Sequence, residues 1–174
     1  MKQALMIIDM LNDFVQENGS LYIGEAGQEI IKPIQSELAE ARRNNVPVLY
    51  VCDRHRPDDA EFRMFPPHCL VGSWGAAVCP ELAPQEKDVI IPKRRYSGFF
   101  GTELDLTLRE LGVEELILVG VCTNICVLYT AADARMRGYR VKVLKNQVAT
   151  FDPGAHEFAL REMEKTLGVE IIDR

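Results

Sequence analysis

The sequence predicts one three-layer α/β/α domain built around a mostly parallel, six-stranded sheet. Short apolar runs of strand length alternate with helical patterns along the chain, an order typical of right-handed βαβ crossovers. Several helical patterns stop at a glycine, the usual residue just after a helix: Gly112, Gly138 and Gly168. A length of 174 residues fits a single domain, 1–174, with a core on both faces of the sheet.

Six apolar runs are predicted to be strands buried on both faces. The first two are Ala4–Ile8 and Val46–Cys52, the second with Pro47 near its start, where a missing N–H does least harm. The other four are Asp88–Ile91, Glu115–Gly120, Arg140–Leu144 and Val169–Ile172. The helices predicted between them are Gln28–Asn45, Thr102–Leu111, Asn124–Arg137 and Pro153–Leu167.

One segment, Asp53–Lys87, breaks this alternation. It is rich in Pro, His, Cys and acidic residues and has little periodicity. Long unstructured segments inside a compact domain are usually functional. We therefore expect part of a functional site here.

Composition excludes several classes of protein. A hydrophobic fraction of 47% and a charged fraction of 26% are typical of soluble globular chains, and a net charge of −6 disfavours nucleic acid as a partner. The apolar start, Ala4–Ile8, is too short for a signal peptide, and no run approaches the ~18 apolar residues of a membrane span. Five cysteines, an odd number, indicate reduced thiols and a cytoplasmic location.

Three reactive residues are predicted just past strand ends: Asp9, Lys93 and Cys126. In open α/β sheets, ligands bind beyond the carboxyl ends of the strands, where the strand order reverses. We therefore expect these three side chains to share one site.

Cys126 stands in a turn, Gly120–Cys126, that leads into a helix. The positive end of a helix lowers the pKa of a thiol, and free N–H groups there can bind an oxyanion. This pattern favours a nucleophile. The alternatives are a buried structural cysteine and Cys122 as the nucleophile.

Asp9 directly follows a buried strand, so burial should raise its pKa unless a cation lies nearby. Lys93 can supply that cation. Asp9 would then accept the thiol proton and later protonate the departing amine. The alternative is a loop-capping Asp9 with a surface Lys93, and Asp13 is the competing carboxylate.

A metal site is the second hypothesis. Asp53 and His55 alternate on extended backbone and so point the same way, and Glu61 and His68 follow in the same segment. Imidazole and carboxylate suit Zn²⁺, Fe²⁺ or Mn²⁺. The alternatives are a polar loop with hydrogen-bonded histidines, or a thiolate site that uses Cys52 or Cys69.

Three segments together resemble the nicotinamidases, within the isochorismatase-like cysteine hydrolases. ALMIIDMLNDF resembles the segment with the catalytic aspartate, here Asp9. KRRYSGFFGTELDLTLRELG and GVCTNICVLYTAADARMRGYRV resemble those with the catalytic lysine and cysteine, here Lys93 and Cys126. CDRH and EFRMFPPHCLVGSWGA resemble the metal segment, which isochorismatases lack.

The resemblance implies roles for further residues. It implies a cis peptide at Val121–Cys122, with the N–H groups of Cys122 and Cys126 as oxyanion donors. It implies one divalent metal, zinc before iron or manganese, that holds the pyridine nitrogen of the substrate. The implied ligands are Asp53, His55 and His68, with Glu61 a ligand in only some members. The implied ring walls are Phe14, Leu21, Phe65 and Tyr96.

The function implied is hydrolysis of nicotinamide to nicotinate and ammonia, a step of NAD salvage, through a thioester on Cys126. With the strand order 3-2-1-4-5-6, Asp9 and Cys126 should meet at the reversal. We expect the metal cluster to lie apart from Asp9, Lys93 and Cys126.

The partners expected are a small-molecule amide and further copies of the chain, with no nucleic acid and no membrane. The rivals are a related cysteine hydrolase acting on another amide or carbamoyl compound, and a non-enzymatic metal or redox sensor.

Overall fold

A computed structural model describes residues 1–173, so Arg174, the last residue of the predicted domain, lies outside the described residues. The six predicted strands form one sheet, and every neighbouring pair is parallel. The strand order is β3-β2-β1-β4-β5-β6, which confirms the predicted fold class and order. The strands are β1 Gln3–Ile8, β2 Val48–Asp53, β3 Val89–Lys93, β4 Glu115–Val121, β5 Arg140–Ala149 and β6 Glu170–Ile172.

Six α-helices cover the sheet within residues 1–173, and two of the predicted helices differ from the observed ones. The predicted helix Gln28–Asn45 is two helices that meet at Ile30. The helix predicted from Asn124 begins as a π-helical turn, Thr123–Val127. The helices are α1 Asn12–Val15, α2 Glu25–Glu29, α3 Ile31–Arg43, α4 Leu104–Glu110, α5 Leu128–Met136 and α6 Pro153–Lys165.

The core lies on both faces of the sheet, as the continuous apolar runs predict. On β1, Ala4, Met6 and Ile8 pack into one hydrophobic cluster, whereas Leu5 and Ile7 pack into the other. Burial of each large apolar side chain stabilises the fold by about 1.5–3 kcal/mol. The central strand is thereby fixed from both sides, and the residue that follows it, Asp9, is held with it. Within residues 1–173, no helix is both long and apolar enough to cross a membrane.

The long segment after β2 is tied to the start of the chain by two polar side chains. The Asp13 carboxylate accepts hydrogen bonds from the Cys69 N–H (2.7 Å) and the Ser20 N–H (3.0 Å). The Asn12 amide donates to the carbonyl of Trp74 (2.8 Å), whose own side chain is 55% exposed. The segment is therefore ordered, although only two short 3-10 helices, Ala60–Arg63 and Pro80–Leu82, interrupt its loops.

Candidate active site

The carboxyl ends of the central strands bring the predicted charged residues together. Asp9 directly follows β1, while Asp53 and Lys93 are the last residues of β2 and β3 and stand opposite each other in the sheet. Cys126 follows β4, which pairs with β1 on its other side. The strand order reverses between β1 and β4, so the site lies at the expected position.

Lys93 is buried at the centre of this group. Its Nζ lies 2.9 Å from Oδ2 of Asp9 and 3.3 Å from Sγ of Cys126, and it also donates to Oδ1 of Asp53. The other Asp9 oxygen, Oδ1, accepts the Asp53 N–H at 2.7 Å. Both carboxylates are thus fixed by main-chain or ammonium donors. Asp13, the rival carboxylate, instead accepts the backbone N–H groups of the neighbouring loops.

Burial and neighbouring charge set the proton affinities of this group. Burial, and then the negative charge of Asp53, raise the pKa of Asp9 to about 6, although Lys93 opposes the change. Burial would lower the pKa of Lys93, but Asp53 and Asp9 raise it well above its ordinary value. Lys93 is therefore an ammonium ion, and Asp9 can take up a proton near neutral pH.

The predicted low pKa of the Cys126 thiol is wrong. Burial raises the pKa of Cys126 well above its ordinary value, and Lys93 only partly opposes the increase. The thiol lies in the π-helical turn Thr123–Val127, before α5 begins at Leu128, so it is not in the first turn of a regular α-helix. At rest the thiol therefore keeps its proton, and Sγ lies within 4.8 Å of an Asp9 carboxylate oxygen.

The turn that carries Cys126 is held by contacts that the sequence analysis missed. Thr123 Oγ1 lies 2.9 Å from Nδ1 of His156 on α6, and Thr150 Oγ1 donates to Oδ1 of Asn124 at 2.6 Å. The peptide bond Val121–Cys122 is cis, as the resemblance implies. No spacing rule pairs these residues, because α6 and the end of β5 lie far along the chain from the turn.

Asp53, His55 and His68 form a buried cluster that suits a divalent cation. Each offers one ligand atom, and the three atoms lie within 4.8 Å of one another. Asp53 Oδ2 is 3.4 Å from His55 Nε2 and 3.7 Å from His68 Nε2, and the buried His55 Nε2 has no hydrogen-bond partner in residues 1–173. His68 Nδ1 donates to the Pro66 carbonyl at 2.8 Å, which leaves the Nε2 lone pair free for a ligand bond. The donor set therefore fits a metal.

Glu61 lies beside this cluster, at the edge of the same pocket. Its Oε2 is buried, has no hydrogen-bond partner among the described residues, and is 3.9 Å from the Arg95 guanidinium. Burial and the charge of Asp53 raise its pKa. Its ligand role stays a prediction.

The expectation of two separate clusters is wrong. Asp53 is part of the metal-binding group and also receives a hydrogen bond from Lys93. Asp53 also forms a close group with Asp9 and Cys126, whose potential ligand atoms lie within 4.8 Å of each other. The spacing of these residues along the chain cannot reveal this sharing, because it depends on the register between β2 and β3.

A mainly apolar pocket opens onto Cys126, Asp53 and His68. Its walls include the four predicted ring-packing residues, Phe14, Leu21, Phe65 and Tyr96. Ile125 and Phe151 also line it, and the sequence analysis missed both. Their position next to a turn and after a strand carries no signal that distinguishes them from other apolar residues. Apolar side chains therefore surround the thiol and two of the potential metal ligands.

Residues 3–174 match the model of the isochorismatase domain. The chain belongs to the isochorismatase family. This family member is similar to the nicotinamidase/pyrazinamidase PncA from Bacillus subtilis, with a TM-score of 0.95 and 39% identity over 99% of this chain and 100% of the other. The resemblance to the nicotinamidases is therefore confirmed.

Two further solved structures are similar to this isochorismatase-family protein. The pyrazinamidase of Pyrococcus horikoshii in complex with zinc has a TM-score of 0.94 and 32% identity, with complete coverage of both chains. The N-carbamoylsarcosine amidase of Thermoplasma acidophilum has a TM-score of 0.89 and 36% identity over 98% of this chain and 95% of the other. The predicted enzyme class, an amidohydrolase, is confirmed.

Proposed function

We propose that this isochorismatase-family enzyme is a nicotinamidase, which hydrolyses nicotinamide to nicotinate and ammonia. The observation that carries the proposal is the shared pocket: the Cys126 thiol and two potential metal ligands, Asp53 and His68, face one small apolar cavity. A substrate with a ring nitrogen at one end and a carboxamide at the other matches that arrangement. The nicotinamidase and the zinc-bound pyrazinamidase among the similar structures support it.

In the proposed mechanism, Cys126 Sγ attacks the carboxamide carbon while Asp9 takes the thiol proton. The backbone N–H groups of Cys122 and Cys126 stabilise the oxyanion, and Lys93 stabilises the negative charges on Asp9 and sulfur. The C–N bond then breaks as Asp9 returns its proton to the leaving ammonia. Asp9 next deprotonates a water molecule, which forms the new C–O bond, breaks the C–S bond and releases nicotinate.

Asp53, His55 and His68 would hold the divalent metal, zinc in our proposal, with iron or manganese as alternatives. When bound, the metal supplies a Lewis acid that can hold the ring nitrogen of the substrate. Phe14, Phe65 and the other apolar walls exclude water and orient the ring.

A second candidate is hydrolysis of a carbamoyl compound by the same thiol. The similarity to an N-carbamoylsarcosine amidase favours it. The two candidates differ in the role of the metal. A substrate with a ring nitrogen gives the metal an atom to hold, whereas a carbamoyl substrate has no such atom.

Ammonia release from purified protein tests the proposal. We expect turnover of nicotinamide, slow turnover of benzamide, which lacks the ring nitrogen, and none of N-carbamoyl amino acids. Cys126→Ala should abolish turnover, whereas Cys122→Ala, a matched thiol deletion that leaves the backbone N–H in place, should keep most of it. Turnover of carbamoyl compounds alone would favour the second candidate.

A cytoplasmic location and self-association belong to the same proposal, and the five free thiols support a reducing compartment.

A further inference from the structure

Asp59 is a buried carboxylate that the proposed mechanism does not use. It lies in the long segment after β2, and its side chain is 0% exposed. Burial of a carboxylate is costly unless the charge is paired and hydrogen-bonded. Its surroundings should therefore explain why a charged residue stands there.

Four donors surround the Asp59 carboxylate. Oδ2 is 3.1 Å from His55 Nδ1 and accepts a hydrogen bond from Arg94 Nε at 2.9 Å. Oδ1 accepts from Arg95 at 3.0 Å and from the backbone N–H of Glu61 at 3.1 Å. The two arginines are 48% and 39% exposed and directly follow Lys93 in the chain. One carboxylate thus ties the exit of β3 to the segment that carries His55.

The contact between Asp59 and His55 determines which ring nitrogen of His55 carries the proton. A carboxylate between two guanidinium groups only accepts hydrogen bonds, so Nδ1 of His55 must carry the proton. The lone pair of the neutral ring is then on Nε2, the atom that lies 3.4 Å from Asp53 Oδ2 and has no hydrogen-bond partner in residues 1–173. A proton on Nε2 would instead block that atom as a metal ligand.

We propose that Asp59 is a positioning residue that fixes the tautomer and the orientation of His55, so that the Nε2 lone pair faces Asp53 and His68. Arg94 and Arg95 hold the carboxylate in place from the solvent side. The proposal rests on the metal site of the proposed function. The Nδ1 atom of His68 instead faces the neutral carbonyl of Pro66, so of the two histidine ligands it is His55 whose Nδ1 faces a charged group.

The first test needs no metal. Burial lowers the pKa of His55, but Asp53 and Asp59 raise it above its ordinary value in the metal-free protein, so nitrogen-15 NMR of the zinc-stripped full chain, which has three histidines, is recorded at a pH above that pKa. The neutral ring of His55 should then carry its proton on Nδ1. In Asp59→Leu, which keeps a side chain of similar shape but removes the acceptor, the Nε2–H form should increase. A wild-type His55 with its proton on Nε2, or an unchanged ring in a folded Asp59→Leu protein, would overturn the proposal.

The second test measures zinc affinity by competition with a chromophoric chelator. Loss of a residue that orients a metal ligand typically costs 10–100-fold in affinity, and we expect a loss in that range for Asp59→Leu. The matched control is Asp58→Leu, which removes the neighbouring exposed carboxylate that pairs with Arg56 and should leave the affinity unchanged. Equal losses in both variants would contradict the positioning role.

These measurements separate two kinds of failure. If the wild-type protein bound no zinc, the metal of the proposed function would fail, while the NMR result would still decide the tautomer. If the wild type bound zinc and Asp59→Leu bound it equally well, the positioning role alone would fail.

Discussion

The ammonium group of Lys93 is shared among Asp9, Asp53 and Cys126, and all of them are buried. With the thiol protonated, the two carboxylates and one ammonium give this group a net charge of −1. Loss of the thiol proton to solvent would make it −2 in a buried site, which the high pKa of Cys126 reflects. Transfer of that proton to Asp9 keeps the net charge constant, so the geometry favours an internal transfer.

We predict that Asp9→Asn lowers kcat by about 10²–10⁴-fold, the usual contribution of a positioned acid–base group. An amide cannot accept the thiol proton, although it can still accept the hydrogen bond from the Asp53 N–H. Steady-state ammonia release measures the effect. The matched control is Asp13→Asn in α1, also buried, which should lower thermal stability and leave kcat of the folded protein near wild type. Comparable losses of kcat in both variants would remove Asp9 from the mechanism.

A second prediction concerns metal removal. Asp53 raises the pKa of Cys126 through its negative charge, and a bound divalent cation would offset that charge. Chelation of the metal should therefore slow the alkylation of Cys126 by iodoacetamide. If the metal cluster were separate from the thiol, the alkylation rate would not change.

The control for this prediction is Asp53→Asn, which removes the same charge without any metal. Metal-free Asp53→Asn should be alkylated faster than the metal-free wild type, as followed by mass spectrometry of the Cys126 peptide. Equal rates in the two proteins would show that Asp53 does not act on the thiol.

Among the elements, β1 and β4 approach each other closely next to the site. Gly120 has a φ of +111°, and a Cβ at this position would lie 2.0 Å from the carbonyl oxygen of Ile8. The turn that carries the thiol begins directly after this contact, so the glycine allows Asp9 and Cys126 to come together.

Gly120→Ala should therefore lower the free energy of unfolding by more than the roughly 1–3 kcal/mol of an unfavourable backbone conformation, because the strands must also separate. Denaturant unfolding measures the change. The matched control is Gly72→Ala, which has a φ of +79° but open space around its Cβ position and should show only the cost of the backbone conformation. A smaller effect at Gly120 than at Gly72 would contradict the close-contact argument.

The sequence predicts the presence of the helices and strands more accurately than it predicts their ends. The sequence predicts that the fifth strand stops at Leu144, which Lys145, Asn146 and Gln147 follow. The strand continues because the register with β4 shifts between Leu118 and Gly120, which lets Val148 and Ala149 pair with the end of β4. The π-helical turn before α5 was missed for a similar reason, since it depends on tertiary contacts and not on periodicity.

In the molecule as a whole, the sheet is also held together by charge at the end opposite the site. Glu115 at the start of β4 is buried and pairs with Arg140 (3.2 Å) and Lys142 (3.0 Å) of β5. It also accepts a hydrogen bond from Gln3 of β1. Three neighbouring strands thus meet at one carboxylate. Burial alone would raise the pKa of Glu115, but Lys142 and Gln3 lower it below its ordinary value.

A lowered pKa in the folded state means that Glu115 stabilises the protein above its unfolded pKa and that this stability is lost as the pH falls. Glu115→Gln should therefore lower the free energy of unfolding by about 1 kcal/mol or more at pH 7, since it loses hydrogen bonds to charged partners. The difference from the wild type should shrink as the pH drops below 4.5, the ordinary pKa of the side chain. Thermal unfolding between pH 3 and 7 measures it, and a difference that does not depend on pH would exclude the ionised carboxylate as its source.

The strand order and the position of the site were predictable at this scale because they follow from the alternation of elements and the resemblance of three ordered segments. The walls at Ile125 and Phe151, the support from His156 and the shared carboxylate of Asp53 were not. Each depends on which side chains a particular register and crossing bring into contact, and residue spacing does not encode that information.

Trp74 is the only tryptophan of the chain, and its carbonyl ties the segment after β2 to Asn12. Its residue is 55% exposed and belongs to neither hydrophobic cluster. The intrinsic fluorescence of this protein is therefore a local optical probe. Its emission will respond to rearrangement of the segment that carries His55 and His68, and only weakly to changes in packing on the far side of the sheet.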